Sequence, residues 1–496
     1  MSVLAELERQ GVEIARLTAD SRQVVPGIAF AAYPGERLDG RDFIGQAVAK
    51  GAAAVLWERQ GFEWKPEWAV PNAGVDGLRE RIGEIASEVY GRPSQKLWVI
   101  GVTGTNGKTS CAHWLAQALG AAGRKTALVG TLGNGFPGGL SPALNTTPDP
   151  IVLQESLADY LAEGAECVAM EVSSHGLAQG RVNGTRFGAA LLTNLSRDHL
   201  DYHGDMESYS AAKARLFDWP GLKYAVLNLD DAFGAELSAK LGCGGVQTVG
   251  YTLDGAAAAS TLRVEGRSLR VDATGIRFQA VTPWGQAEIR SPLLGRFNAA
   301  NLLGVLATLL VSGVGLEAAA KALSQVQPAT GRLHRMGGDG QPLVVVDYAH
   351  TPDALEKALE TLKEITPAGG RLVCVFGCGG GRDKGKRPLM GGIAARLADE
   401  ALVTSDNPRH EDPNSILDEI VAGMGGANHR VVADRAEAIS QAVLGAKEND
   451  VVLVAGKGHE DYQEIGGVRH PFSDIEQVRW ALAERQQMKD SHVRLA

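Results

Sequence analysis

Short apolar runs bounded by glycine and polar turns recur along most of the chain, separated by longer segments of helical period. The runs predict buried strands and the longer segments predict connecting helices. Runs at 28–32 and 53–57, with a helix over about 40–51 between them, predict a small α/β unit over residues 1–92. Gly91-Arg92-Pro93-Ser94-Gln95 predicts a linker. Runs at 97–100, 126–129, 167–171 and 189–193 then alternate with helical segments. That is the rhythm of a mostly parallel sheet, and it defines a second unit over 96–327. Between about 245 and 292 the pattern shortens to alternating runs at 268–271 and 275–278, predicting a small antiparallel insertion. A boundary near Gln327-Pro328-Ala329-Thr330-Gly331 opens a third unit, 331–496. Its strands are predicted at 343–347, 372–376, 401–404 and 451–455, and Thr351-Pro352 predicts a helix start with proline at the first position. A helix over 208–217 carries Tyr209, Ala212, Leu216 and Phe217 on one face.

Length agrees with this division, since 496 residues allow about three domains of roughly 100–200 residues. With 44% hydrophobic and 22% charged residues the composition is that of a soluble globular protein. A formal net charge of −9 argues against a nucleic-acid partner. No apolar run is long enough for a membrane span. The segment 1–9 lacks the basic and apolar regions of a secretory signal. Cys111, Cys167, Cys243, Cys374 and Cys378 form no CxxC pair, and their odd number fits free thiols in a reducing cytoplasm. The expected location is therefore cytoplasmic.

The chemistry starts at Gly101-Val102-Thr103-Gly104-Thr105-Asn106-Gly107-Lys108-Thr109-Ser110, a glycine-rich turn between a strand and a helix. Such a turn offers backbone N–H groups and a helix N-terminus to phosphate oxygens. Lys108 reaches the outer phosphates and Thr109 can hold Mg²⁺. The general spacing asks for glycine where this chain has Val102, but Gly-Lys-Thr at a strand-to-helix junction still predicts a P-loop. The expected fold is α/β in three domains. These are a small N-terminal α/β domain, a central P-loop mononucleotide-binding domain and a Rossmann-like C-terminal domain.

Three further features bear on the site. Glu171 closes an apolar strand, where ligands of open α/β sheets gather. It reads as a Mg²⁺ ligand or as a carboxylate favoured by a helix N-terminus. Asp198, His199, Asp201 and His203 follow another strand and read as a metal or phosphate site or as a hydrogen-bonded surface loop. Lys213 lies on or beside the apolar face of the 208–217 helix. It either snorkels to solvent or is buried with a depressed pKa. A neutral amine there is a base, or takes up CO₂ to become an anionic carbamate ligand.

GVTGTNGKTS at 101–110, EVSSHGLAQGR at 171–181, TNLSRDHLDYHG at 193–204, AAKARLF at 211–217, GRFNAANLL at 295–303 and DYAHTPDAL at 347–355 together resemble the Mur ligase family of peptidoglycan synthesis. The resemblance covers nearly the whole chain and is nearest to the branch that adds the third stem residue. It implies an ATP-dependent amide ligase of cytoplasmic cell-wall precursor synthesis. ATP would phosphorylate the D-glutamate γ-carboxylate of UDP-N-acetylmuramoyl-L-alanyl-D-glutamate, and the amine of meso-2,6-diaminopimelate would displace the phosphate. The Asp406-Asn407-Pro408-Arg409 motif implies diaminopimelate, since Arg409 offers a fork for its extra carboxylate. The lysine-adding version and a folylpolyglutamate synthetase-like ligase are the rival enzymes. A P-loop regulator that ligates nothing is the rival of another class, and it leaves Lys213 unexplained.

The resemblance also implies site residues. ATP would contact Gly104, Thr105, Asn106, Gly107, Lys108, Thr109 and Ser110, with Asn298, Arg332, Asp347 and His350. Ala19, Ser21, Glu36, Arg37 and Leu38 would hold the uridine diphosphate. Asn145, Thr146, Thr147, Ser173, Gln179 and Arg181 would hold the sugar-peptide. Arg382, Asp406, Asn407, Pro408, Arg409, Gly456 and Glu460 would bind diaminopimelate, Glu460 pairing with an ammonium. Two Mg²⁺ ions are implied, one on Thr109 and Glu171, the other on His199 and Lys213 as N6-carboxylysine. Lys108, His199 and Lys213 would be the catalytic residues, and the chain would act as a monomer. Relatives often carry an acid soon after the Gly-Arg that opens the third unit, where this chain has Leu333-His334.

Overall fold

The computed structural model describes residues 2–495 apart from 37, 243–244, 273, 339 and 427. Among the described residues the strands form sheets of four, eleven and six, plus a two-stranded hairpin.

The four-stranded sheet is parallel, in the order Arg16–Thr18, Ile28–Ala32, Ala54–Glu58, Asn72–Val75. The helix Leu78–Val89 covers it, turning Leu78, Ile82, Ile85 and Ala86 onto Leu17, Ala29 and Leu56. The helix expected over 40–51 is a 3₁₀ turn, Gly40–Phe43, running into a short α-helix, Ile44–Ala49. The expected linker contains one 3₁₀ turn, Pro93–Gln95. It is docked, not loose: buried Ser94 accepts the Arg186 backbone N–H at 3.0 Å.

In the large sheet Trp98–Thr103 lies between Ala189–Leu192 and Cys167–Glu171. The chain leaves Trp98–Thr103 for Thr126–Gly130 beyond Cys167–Glu171, while Ala189–Leu192 joins on the other side. That topological switch puts a crevice at the carboxyl ends of these strands, where a ligand is expected. The helix Arg296–Val311 is buried almost all round and packs on Ile100, Leu191, Val226 and Tyr251.

The predicted antiparallel strands are present and extend this sheet. Leu262–Asp272 pairs in parallel with Gln247–Thr252, and only then do Gly275–Thr282 and Gly285–Ser291 fold back antiparallel. One face of these strands is exposed, so their burial alternates and the runs look short and separate.

The six-stranded sheet runs His334–Gly337, Leu343–Asp347, Val451–Ala455, Leu372–Phe376, Glu400–Val403, His429–Val431, antiparallel only at the first pair. Thr351 caps the helix Pro352–Ile365, its hydroxyl accepting the Ala354 N–H. The helix expected over 208–217 runs Met206–Ala214. Asp205 caps it at Ser208 N, 2.7 Å away, and Leu216 and Phe217 are buried in the turn that follows. No helix among the described residues is long and apolar enough to cross a membrane.

Candidate active site

The P-loop backbone is set by contacts that leave no room for side chains. Gly104 has φ +147°, and a Cβ there would lie 1.9 Å from Thr193 Oγ1. Asn106 N–H donates to Asn194 Oδ1 at 3.0 Å, which ties the loop to the end of the neighbouring strand. Lys108 opens the helix Lys108–Ala121. Its Nζ donates to the carbonyls of Gly104 at 2.9 Å and Thr105 at 2.8 Å.

Glu171 is buried at the end of its strand and gathers three donors. Thr109 Oγ1 donates to Oε2 at 2.9 Å, Thr131 N–H to Oε1 at 2.8 Å and Thr131 Oγ1 to Oε2 at 3.2 Å. The carboxylate therefore faces the P-loop hydroxyl, and both groups are hard oxygen donors of the kind Mg²⁺ takes.

Lys213 is 1% exposed, which removes the snorkelling alternative. Its Nζ donates to Gly104 O at 2.8 Å and sits 4.6 Å from the Tyr209 ring centre. Burial first, and the nearby Lys108 charge second, pull its pKa well below that of an ordinary lysine. His199 takes a left-handed backbone, φ 55°, ahead of the short helix Leu200–His203. Burial lowers its pKa to about 3 although Asp198 Oδ2 lies 3.3 Å from Nε2, so its imidazole is neutral near pH 7.

These groups line one cavity of about 460 Å³. Lys108, Thr109, Glu171, His199 and Lys213 form one wall. Asn145, Thr146, Ser173 and Arg181 form a second, and Arg382, Arg409 and Glu460 close it from the C-terminal sheet. Thr147 lies beneath, its hydroxyl donating to Glu171 O at 3.0 Å and accepting Ser173 N–H at 3.0 Å. Arg181 donates to Thr147 O at 2.9 Å and to Gln179 Oε1 at 2.7 Å.

An adjoining cavity of about 390 Å³ is lined by Asn106, Gly107, Ser110, Asn298, Arg332 and Asp347. His350, expected with them, lines the Lys213 cavity beside Lys108 and Thr109. The turn after Asp347 carries it past the P-loop, and its Nδ1 is 2.8 Å from Tyr348 O. Arg332 joins the two cavities, with Nη2 donating to Thr109 Oγ1 at 3.2 Å.

Ala19, Ser21 and Leu38 line a cavity of about 820 Å³ between the N-terminal sheet and the helix Pro150–Ala162. Glu36 does not line it. Its carboxylate accepts Gln179 Nε2 at 2.7 Å and the Tyr202 hydroxyl at 3.1 Å, bridging to the central unit. Arg37 lies outside the described residues.

Arg382, Asp406, Asn407, Arg409, Gly456 and Glu460 surround a cavity of about 230 Å³ at the strand ends of the C-terminal sheet. Pro408 does not line it; its carbonyl packs against Gly380. Arg409 has φ 54° and its Nη1 donates to Gly380 O at 2.7 Å. Glu460 Oε2 accepts Asn407 Nδ2 and Lys457 Nζ, each at 2.8 Å. Lys457 is fully buried and also donates to Asn407 Oδ1 at 3.0 Å. Sequence reasoning gave Lys457 no role, though a lysine between two glycines at a strand end was the available signal. It also passed over Tyr348, whose ring lies 4.6 Å under the Arg332 guanidinium and whose hydroxyl is 3.5 Å from Glu460 Oε1.

Family models agree with this architecture along the chain. The Mur ligase family catalytic domain matches residues 13–90, the Mur ligase middle domain 102–309 and the Mur ligase glutamate ligase domain 331–458. A protein of Chromobacterium violaceum named UDP-N-acetylmuramoyl-L-alanyl-D-glutamate–2,6-diaminopimelate ligase is 56% identical over 481 residues, 96% of each chain. This chain belongs to the Mur ligase family. A Nitrosomonas europaea protein of the same name is 50% identical, over 96% of this chain and 94% of its own. A solved structure of a ligase of that name superposes with a TM-score of 0.68 at 39% identity, covering 95% of both chains. Lys108, Thr109, Glu171, His199 and Lys213 lie within the span matched by the middle domain of Mur ligases, and Arg382, Asp406, Asn407, Arg409 and Gly456 within that of their glutamate ligase domain.

Proposed function

We propose that this Mur ligase joins meso-2,6-diaminopimelate to the D-glutamate γ-carboxylate of UDP-N-acetylmuramoyl-L-alanyl-D-glutamate, with ATP going to ADP and phosphate. The observation that carries the reading is the single cavity shared by Lys108, Glu171, Lys213, Arg409 and Glu460. A P-loop regulator has no use for the last three. The names of the relatives at 50–56% identity support diaminopimelate as the amine.

The carboxylate oxygen attacks the γ-phosphorus of ATP, and ADP leaves. The amine then attacks the acyl carbon, loses a proton and expels phosphate. Two anions meet in the first step, so the site has to offset their repulsion. Lys108 leaves its loop carbonyls for the phosphates. Arg332, now against Thr109 and Tyr348, spans the nucleotide cavity and the ligation cavity. Thr109 and Glu171 would hold one Mg²⁺, and His199 and carbamylated Lys213 another. When bound, the ions neutralise the transferring phosphoryl group. The neutral imidazole of His199 has a free lone pair for this. The unprotonated amine of Lys213 adds CO₂ and loses a proton, becoming a carbamate with two hard oxygens. Arg409 and Arg382 receive the far carboxylate of the diamino acid, and Asn407 and Glu460 its ammonium.

Ala19, Ser21 and Leu38 mark the uridine-diphosphate end, and the Asn145–Arg181 wall the peptide end. The reading also includes a monomer acting in the cytoplasm. Its test is phosphate release with Mg·ATP and the UDP-dipeptide, offering meso-diaminopimelate, L-lysine or no amine. Release with diaminopimelate alone, and a product one residue heavier, is expected. Release with lysine alone would overturn the assignment of Arg409, and release independent of any amine would overturn the ligase.

A further inference from the structure

The two loops that bear the diamino-acid residues are not neighbours in the sheet. One follows Glu400–Val403 and carries Asp406, Asn407 and Arg409; the other follows Val451–Ala455 and carries Gly456 and Glu460. Leu372–Phe376 runs between them and pairs with both, so the ladder spaces the two strands and side chains must space the loops beyond their ends.

Asn407 crosses the gap to Glu460 and Lys457 at the pocket, and a buried guanidinium crosses it beneath. Arg435 Nη2 donates to Ala455 O at 3.0 Å, and Nη1 to Ser405 O at 3.4 Å. Each carbonyl belongs to the residue just before a pocket residue. The same guanidinium is held bidentate by Asp474, with Nε at 2.8 Å and Nη2 at 2.7 Å. Both side chains are 0% exposed. Arg435 begins the helix Arg435–Gly445 and Asp474 begins Asp474–Leu495, so two helix starts anchor the fork. The loops then close tightly over it. A Cβ on Gly456 would lie 2.6 Å from Asp406 Oδ2 and 3.7 Å from Arg435 Nη2.

We propose that Arg435 and Asp474 are positioning residues that fix the gap between these loops, and so the length of diamino acid the pocket accepts. This rests on the ligase reading above. Neither residue lines the cavity. Stability alone does not call for them, because a buried ion pair replaced by apolar residues of similar size is often neutral or stabilising. A fork reaching two carbonyls has a geometric use that an apolar pair lacks. Diaminopimelate presents an amino-acid group at each end, so a shift of one loop misplaces one end while the other stays bound.

The test compares the full-length wild type with the double variant Arg435→Met/Asp474→Leu and with Arg435→Lys, which keeps a cation against Asp474 and loses the fork. KM is measured separately for ATP, for the UDP-dipeptide and for diaminopimelate. Selectivity is measured against the one-carbon-shorter 2,5-diaminohexanedioate. KM for diaminopimelate is expected to rise about tenfold or more, with the preference over the shorter acid falling. The other two KM values should stay within about twofold. An unchanged diaminopimelate KM, or three KM values rising together, overturns the proposal. If neither variant folds, the pair is structural and the proposal also fails. A wild type indifferent to diaminopimelate would instead overturn the ligase reading.

Discussion

Lys108 and Lys213 donate to the same acceptor, the carbonyl oxygen of Gly104, at 2.9 and 2.8 Å. Two ammonium groups on one buried carbonyl repel, and burial penalises both. Lys213 is the one whose pKa falls furthest below the ordinary value, and the Lys108 charge is among the causes. On the proposed reading Lys108 is the lysine for phosphate and Lys213 the one that takes up CO₂.

Lys213→Ala should therefore lower amine-dependent phosphate release by about a hundredfold or more, as loss of a preorganised charge does. Acetate or formate should restore part of the rate by filling the space of the carbamate. Wild type equilibrated with ¹³CO₂ should show one carbamate resonance that the variant lacks. Full activity of Lys213→Ala would remove the carbamate from the mechanism.

Glu171→Gln keeps the shape that Thr109 and Thr131 bind and removes the charge. Activity should drop about a hundredfold, and the Mg²⁺ concentration for half-maximal rate should rise. Stripping divalent ions with a chelator should abolish turnover in the wild type and Mg²⁺ should restore it. A variant with unaltered Mg²⁺ dependence would show that Glu171 only caps the P-loop.

Arg409→Lys retains the charge and loses the fork. KM for diaminopimelate should rise by about tenfold to a hundredfold, the value of a charge-assisted hydrogen bond. Discrimination against L-lysine should narrow, because lysine lacks the carboxylate the fork receives. Steady-state assays with each amine decide this, and equal losses for both would place Arg409 outside amine selection.

Glu411 carries an acid-sensitive contact beneath the same pocket. The Gly381 backbone N–H, with Arg387 and Lys384, holds its pKa near 2, below the ordinary 4.5. A depressed folded-state pKa adds stability above the unfolded value, and that stability is lost as pH falls through the folded one. Glu411→Gln should thus lower the unfolding midpoint at pH 7, and the gap from wild type should close between about pH 4.5 and about pH 2. A gap of constant size across that range would assign the effect to packing.

The strand runs at 167–171, 343–347 and 451–455 were legible to the residue, because parallel strands buried on both faces read as unbroken apolar runs. Pairing was less legible. Nothing local in 262–291 announces that it continues the central sheet, since a strand's partner is chosen by tertiary contacts. At the site, the residue types of the P-loop, Glu171 and Lys213 carried their chemistry in the sequence. Burial decided between the two readings of Lys213, and burial depends on Lys213 meeting Gly104 across more than a hundred residues. Glu36 was misplaced among the cavities because one turn of backbone redirects a side chain that motif spacing fixes only approximately. Arg435 and Asp474 carry no motif of their own, and only their convergence under the 405–409 and 455–460 loops reveals them.

Because Leu262–Asp272 runs parallel to its neighbour, its far end shares the substrate side of the sheet, and the return strand Gly275–Thr282 carries the chain to the opposite side. There the Pro283-Trp284 turn stands at the outer edge, Trp284 44% exposed. A peptide epitope or a fluorescent reporter spliced into that turn would label the intact chain without entering the cleft, and would leave both termini unaltered for immobilisation.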